Sequence, residues 1–262
     1  AHRCSVGACE SFADCCKNTK QKSLNITSIA TLAVFITLIS VSCGKKATNN
    51  NPAASEIEVF ENARKAADMG TSITALHRII VLDSTQSWAV DSLAWYYYFF
   101  TQNVDAAEIY NTLALKNKPE DVGMNEIRAK ILIQKRQDTS GIALFEKLWQ
   151  RTKDYTFLYN ISATHILTGR VQLADSMVTS ILALNPVPQG NVRIEVSEAR
   201  SRQQIPVNAA FLYLKSYLMF LGNERQQAVQ LVQRCLEIKP DFILAQDMLE
   251  NLTQPRQQQG PY

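Results

Sequence analysis

Three histidines and six cysteines are the residues whose types could bind a metal or supply a nucleophile, and their placement argues against both uses. His2, Cys4, Cys9, Cys15 and Cys16 crowd the start of the chain, but gaps of four and five residues followed by an adjacent pair do not match zinc-finger spacings. His77 and His165 stand far apart, with no HExxH pattern and no glycine-rich phosphate loop near either. Cys235, flanked by Val232 and Leu236, reads as a small buried hydrophobe and not as a nucleophile. No Ser, His and acid combination can be argued from spacing. The sequence therefore predicts no catalytic residue, no cofactor and no metal site. Of the net charge of +3, four Lys/Arg against two Asp/Glu in residues 1–42 leave only +1 for the rest, too little for a nucleic-acid footprint. The chemistry left to such a chain is binding.

The N-terminal segment is laid out for export. Lys17, Lys20 and Lys22 precede an uncharged run from Leu24 to Ser42 that holds Ile29, Leu32, Val34, Phe35, Ile36, Leu38 and Ile39. A positive flank, an apolar run and small residues before a cleavage point form a signal peptide. Ser40-Val41-Ser42-Cys43-Gly44 resembles a bacterial lipobox, in which the Cys43 thiol would be acylated, and the serine-containing form followed by Cys-Gly is similar to lipoproteins of the Bacteroidetes. An uncleaved signal anchor is the alternative, since 19 uncharged residues just span a bilayer. Both tether the body to a membrane of the bacterial cell envelope, periplasm-facing or at the surface. Residues 1–42 are read as leader, 43–55 as a flexible stalk rich in Lys, Asn, Ala and Pro, and 253–262 as a Gln-rich disordered tail.

From Glu56 to Leu252 helical periodicity prevails, and the elements repeat. Small residues recur at Ser72, Ala106, Gly141, Ala174 and Ala228, separated by 34, 35, 33 and 54 residues. Four residues after each stands Leu76, Tyr110, Phe145, Val178 or Val232, and three further on Ile79, Leu113, Leu148, Ile181 or Cys235. Twelve residues before four of the small sites lies another small residue, Ala94, Ala129, Ser162 or Ser216. Two helices approach closely only where both carry small side chains, so each unit is a helix pair whose i, i+4, i+7 stripe is buried. Pro186 and Pro240 close their units, and Pro119 falls one residue late by this count.

This pattern resembles the tetratricopeptide repeat, a helix-turn-helix unit of about 34 residues. The resemblance covers residues 56–252 and is fullest through Ala174, Val178, Ile181, Pro186 and through Ala228, Val232, Cys235, Pro240. The chain departs from the family in lacking the usual Trp and Gly of the first helix. The resemblance implies an all-α fold, a right-handed superhelical stack of antiparallel helix pairs, closed by a capping helix over Asp241 to Leu252.

The insertion 187–206 interrupts the stack. Val192 to Val196 alternates apolar and charged residues like a short strand, with a return arm over Gln203 to Val207 and a turn between them. Such a β-hairpin would expose Arg193, Arg200 and Arg202 for contact with a partner, or be a tolerated surface loop. By the resemblance, the first helix of each pair lines a concave face. Counting along those helices places Trp88, Trp95, Tyr98, Lys130, Tyr159, Tyr213, Tyr217 and Phe220 in an aromatic groove suited to a peptide. The Lys/Asn carboxylate clamp of chaperone-binding family members is absent, Lys130 standing alone. The expected function is a membrane-anchored scaffold that holds a peptide segment of an envelope partner. A structural subunit buried in a larger complex is the alternative, and an enzyme of unknown class a minor one.

Overall fold

The computed structural model describes residues 51–196 and 201–254. Eight helices come first: α1 (Ala54–Lys65), α2 (Met69–Leu82), α3 (Ser87–Phe99), α4 (Val104–Asn117), α5 (Val122–Gln134), α6 (Asp138–Thr152), α7 (Tyr155–Leu167) and α8 (Val171–Leu182). Two strands follow, β1 (Asn191–Val196) and β2 (Ser201–Pro206), then α9 (Val207–Leu221), α10 (Arg225–Ile238) and α11 (Ile243–Thr253). Helices pack as consecutive pairs and each pair packs on the next. Cys43 and the run from Leu24 to Ser42 lie outside the described residues, and no described helix is long and apolar enough to cross a membrane.

The turns inside the pairs share one device. Ala67, Gln102, Arg136, Gly169 and Asn223 all have positive φ, between 54° and 75°, the left-handed conformation that stops a helix. Side-chain caps start several of the helices, with Asp68, Asn103, Asp121 and Asp154 accepting from a backbone N–H at the second or third helical residue. Five residues beyond each positive-φ residue lies a buried small residue: Ser72, Ala107, Gly141, Ala174 and Ala228.

That spacing corrects the predicted register of the second unit. The buried stripe of α4 is Ala107, Asn111 and Ala114, one residue beyond Ala106, Tyr110 and Leu113, and Leu113 is 46% exposed. An extra residue at the end of α3 causes the slip. Asn103 N–H donates to the Tyr97 carbonyl, six residues back, whereas Asp68, Gln137, Arg170 and Glu224 each reach five residues back. Pro119 then stands as far from Ala107 as Pro186 from Ala174. Asn111 hides the stripe from a reading based on apolar residues: it is buried, its Nδ2 donates to the Met124 carbonyl at 2.7 Å, and its Oδ1 has no partner.

Gly141 marks a close helix approach. A Cβ there would lie 2.8 Å from the Ala129 carbonyl oxygen and 2.6 Å from Ile133 Cγ1, so α5 and α6 meet backbone to side chain. Over Phe242 to Leu252 the last described helix lies on the pair before it, Phe242, Ala245, Met248 and Leu252 being buried there.

The insertion is a hairpin, but it does not project. β1 and β2 pair antiparallel from Asn191 opposite Pro206 to Val196 opposite Ser201, and Val207 already belongs to α9. Val192, Ile194, Val196 and Ile205 are at most 3% exposed, and three of them join the core formed by Tyr159, Phe211 and Phe242. At roughly 1.5–3 kcal/mol for each buried aliphatic side chain, burial on this scale makes the hairpin a fixed part of the body.

Candidate functional site

The hairpin stands on the first-helix face of the stack. Its β1 edge meets α7, where Arg193 N–H donates to Thr156 Oγ1 at 3.1 Å. Because strand side chains alternate, Arg193, Glu195, Arg202 and Gln204 share the face opposite the buried one. Arg193 donates to Asp154 Oδ2 at 2.6 Å and to Glu126 Oε2 at 3.3 Å. The Arg202 guanidinium lies 4.4 Å from the centre of the Phe99 ring and 3.5 Å from Glu195 Oε1. Lys130 donates to Glu126 Oε1 at 2.9 Å and also pairs with Glu195.

Three carboxylates and three cations thus close on one another across α5, α7 and the hairpin. Glu126, only 5% exposed, is the hub. Burial alone would push its carboxyl up, but Lys130, Arg202 and Arg193 together hold it below the usual carboxylate range. Asp154 follows the same pattern: burial raises it, and hydrogen bonds from Thr156 and Arg193 bring it down. Lys130 and Arg193 are therefore largely taken up as internal braces, not free contacts as predicted, while Arg202 is exposed as predicted but already pairs with Glu195 and Glu126. Arg200 lies outside the described residues.

Two open aromatic surfaces bear on the predicted groove. A cleft of about 750 Å³ opens beside the hairpin at the end of α3, lined by Trp95, Tyr98, Phe99, Phe100, Gln134, Glu195 and Arg202 among others. A smaller apolar pocket of about 200 Å³ lies between α9 and α11, lined by Tyr213, Tyr217, Phe220, Leu244, Met248 and Leu252 with Asp247 and Asn251. Trp95 packs edge-on to Phe100 at 5.0 Å, and burial pushes the Tyr98 hydroxyl up. Tyr213 rests on Phe242 at 5.2 Å, with its hydroxyl pushed up to about 12 by burial, while Phe220 is 46% exposed.

The predicted groove is thus split. Trp95 and Tyr98 line the cleft, and Tyr213, Tyr217 and Phe220 line the second pocket. Two residues do not face a groove. Tyr159 is buried against Phe211, and Trp88 packs on Phe60 at 5.5 Å with its Nε1 donating to Gln86. They were misplaced because a first helix clamped between two neighbours buries more than one face. Sequence reasoning missed Phe99, Glu195, Leu244 and Met248; Phe99 sits in a run of six consecutive apolar residues, Trp95 to Phe100, in which no periodicity selects a face. His77 lies between two phenols, with Nε2 2.8 Å from Tyr97 Oη and Nδ1 3.2 Å from Tyr110 Oη. Burial lowers its pKa. Among the described residues no cluster of potential metal ligands occurs.

Stacked helix pairs that cross at small residues and end in a single capping helix are the tetratricopeptide-repeat fold, here with a small antiparallel sheet inserted before the last pair. Solved structures of that fold superpose on it. PilW, described as a widely conserved type IV pilus biogenesis factor, aligns with a TM-score of 0.52 at 12% identity, over 78% of this chain and 91% of that one. The C-terminal part of a TPR repeat-containing protein from Cytophaga hutchinsonii gives 0.51 at 15% identity, over 76% and 69%. A thermophilic TPR protein from Thermus thermophilus gives 0.50 at 11%, over 76% and 98%. The likeness at these identities is one of fold. No family model matches the chain, and no curated protein matches it.

Proposed function

We propose that the protein is a membrane-anchored scaffold of a bacterial cell envelope, tethered through Cys43, whose repeat body binds a segment of a partner protein and performs no chemistry of its own. The observation that carries this reading is the pair of open aromatic surfaces on the first-helix side of a fold built from stacked helix pairs. Tyr213, Tyr217 and Phe220 with Leu244, Met248 and Leu252 form an apolar pocket at the surface, and Trp95 with its neighbours forms a wider one. Rigid aromatic side chains bury large areas at low entropic cost, which suits anchoring of peptide side chains. The fold likeness to a pilus biogenesis factor supports an envelope partner.

The test is a pull-down from native membranes with the intact protein as bait, beside a Trp95→Ala, Tyr217→Ala double variant, read by mass spectrometry. Partners recovered by the parent and lost by the variant support the reading. Identical recoveries by both baits count against these surfaces. Metabolic labelling with a palmitate analogue, retained by the parent and lost in Cys43→Ser, tests the anchor.

A further inference from the structure

The two edges of the hairpin are not equivalent. Val207 N–H donates to the Gly190 carbonyl at 3.2 Å across the base of the ladder, and Arg193 N–H donates outward to Thr156. Residue pairs in an antiparallel ladder alternate between exchanging hydrogen bonds and facing outward. Given the register, Val192 with Ile205 and Ile194 with Gln203 bond across the ladder, while Arg193, Glu195, Arg202 and Gln204 turn their N–H and C=O groups to the outside. On β1 that outside is α7. On β2 it is the opposite side, where the N–H groups of Arg202 and Gln204 have no hydrogen-bond partner among the described residues and both residues are exposed.

Unpaired backbone donors and acceptors at alternate residues are complementary to one chemistry, the backbone of another extended chain. The template is rigid, held from below by Val192, Ile194, Val196 and Ile205 and braced from the side by the carboxylate network. Gln203 anchors β2 further: its Nε2 donates to the Asp241 carbonyl at 2.6 Å and its Oε1 accepts from Ile243 N–H at 3.1 Å. Pro206, lacking an N–H, ends the edge. Arg202 belongs both to this edge and to the cleft lined by Trp95, Phe99 and Phe100, and its charge is already met by Glu195 and Glu126.

We propose that the outer edge of β2 takes up a short extended segment of a partner protein as a third strand, with one large uncharged side chain of that segment entering the Trp95, Phe99 and Phe100 cleft. The inference rests on the binding reading above and specifies the partner's chemistry: an extended backbone, apolar where it faces the cleft. Side-chain alternation of the added strand sets which residues face the cleft.

The test uses the full chain in detergent and, as probe, a fluorescein-labelled heptapeptide alternating Thr and Val around a central Trp, followed by fluorescence anisotropy. Gln204→Pro deletes an N–H that faces away from β1, a position where strands tolerate proline; Gln204→Ala keeps it. The expected result is roughly a tenfold loss of affinity in Gln204→Pro, the scale of one forfeited hydrogen bond, with little change in Gln204→Ala. A probe N-methylated at alternate amides leaves the protein untouched and should lose a similar factor in the register that blocks pairing. Equal binding of plain and N-methylated probes, or no binding of the plain probe at millimolar concentration, overturns the proposal. Partners captured in the native pull-down and insensitive to Gln204→Pro would leave the scaffold reading standing while this one falls.

Discussion

The floor formed by α5 and α7 and the floor formed by α9 and α11 are built from the same kind of helix in the same fold, yet one is covered and the other is bare. Over α5 and α7 stands the hairpin, with Glu126, Asp154 and Lys130 consumed in holding Arg193, Arg202 and Glu195. Over α9 and α11 nothing described stands on Tyr217 and Phe220. Polar residues of α5 and α7 thus meet the chain's own hairpin, whereas the aromatic residues of α9 stay open at the surface.

The comparison breaks most visibly through the hairpin core. Ile205→Ala, at a fully buried site, should cost about 2–4 kcal/mol, seen as a fall in melting temperature, whereas Tyr217→Ala, at a partly buried ring on the bare floor, should cost less, about 1–2 kcal/mol. Equal losses would mean that the two floors are equally structural. Next in size is Gly141→Ala. The new methyl meets the Ala129 carbonyl, and backbone gives way less readily than a flexible side chain, so a loss of about 1–3 kcal/mol in denaturant titration is expected.

Glu126→Gln sharpens the contrast electrostatically. With two of its three partner cations about a third exposed, solvent screening reduces the effect to roughly 1–2 kcal/mol near neutral pH. Both Glu126 and Asp154 are held below their ordinary values. Their contribution is complete above about pH 5, beyond the ordinary carboxylate values, and is lost as pH falls through the depressed values. The melting temperature of the parent should therefore drop more steeply below about pH 4 than that of Glu126→Gln, and parallel curves would show that the network does not brace the hairpin. The smallest effect concerns neither floor but the turns beneath them: Arg136→Gly, at φ 63°, should gain up to about 1 kcal/mol, because glycine has no Cβ to strain there.

Much of the solenoid was legible in the sequence because its signals are local. Ser72, Gly141, Ala174 and Ala228 are buried where their spacing placed them, as are Leu76, Phe145, Val178 and Val232 four residues on. The second unit misled because apolar residues stood one position before the stripe and a buried Asn111 stood within it. A polar side chain at a core site is satisfied only by a partner in another helix, here the Met124 carbonyl, and no window of sequence contains that bond.

What the sequence determined alone is the repeat: helical period, small residues at crossings and breakers at turns act over one unit, and each is paid for within it. The alternating pattern of the insertion likewise specified a strand. Which way the hairpin turned was a tertiary decision. Lys130 and Glu195 are 65 residues apart and Arg193 and Glu126 are 67 apart, so their attraction exists only once the helices between them have stacked. The same holds for Tyr159, whose place in the core depends on Phe211 arriving from beyond the insertion. Local periodicity chooses elements; the partner that a charged or aromatic face meets is chosen by whichever distant surface the stack brings opposite it.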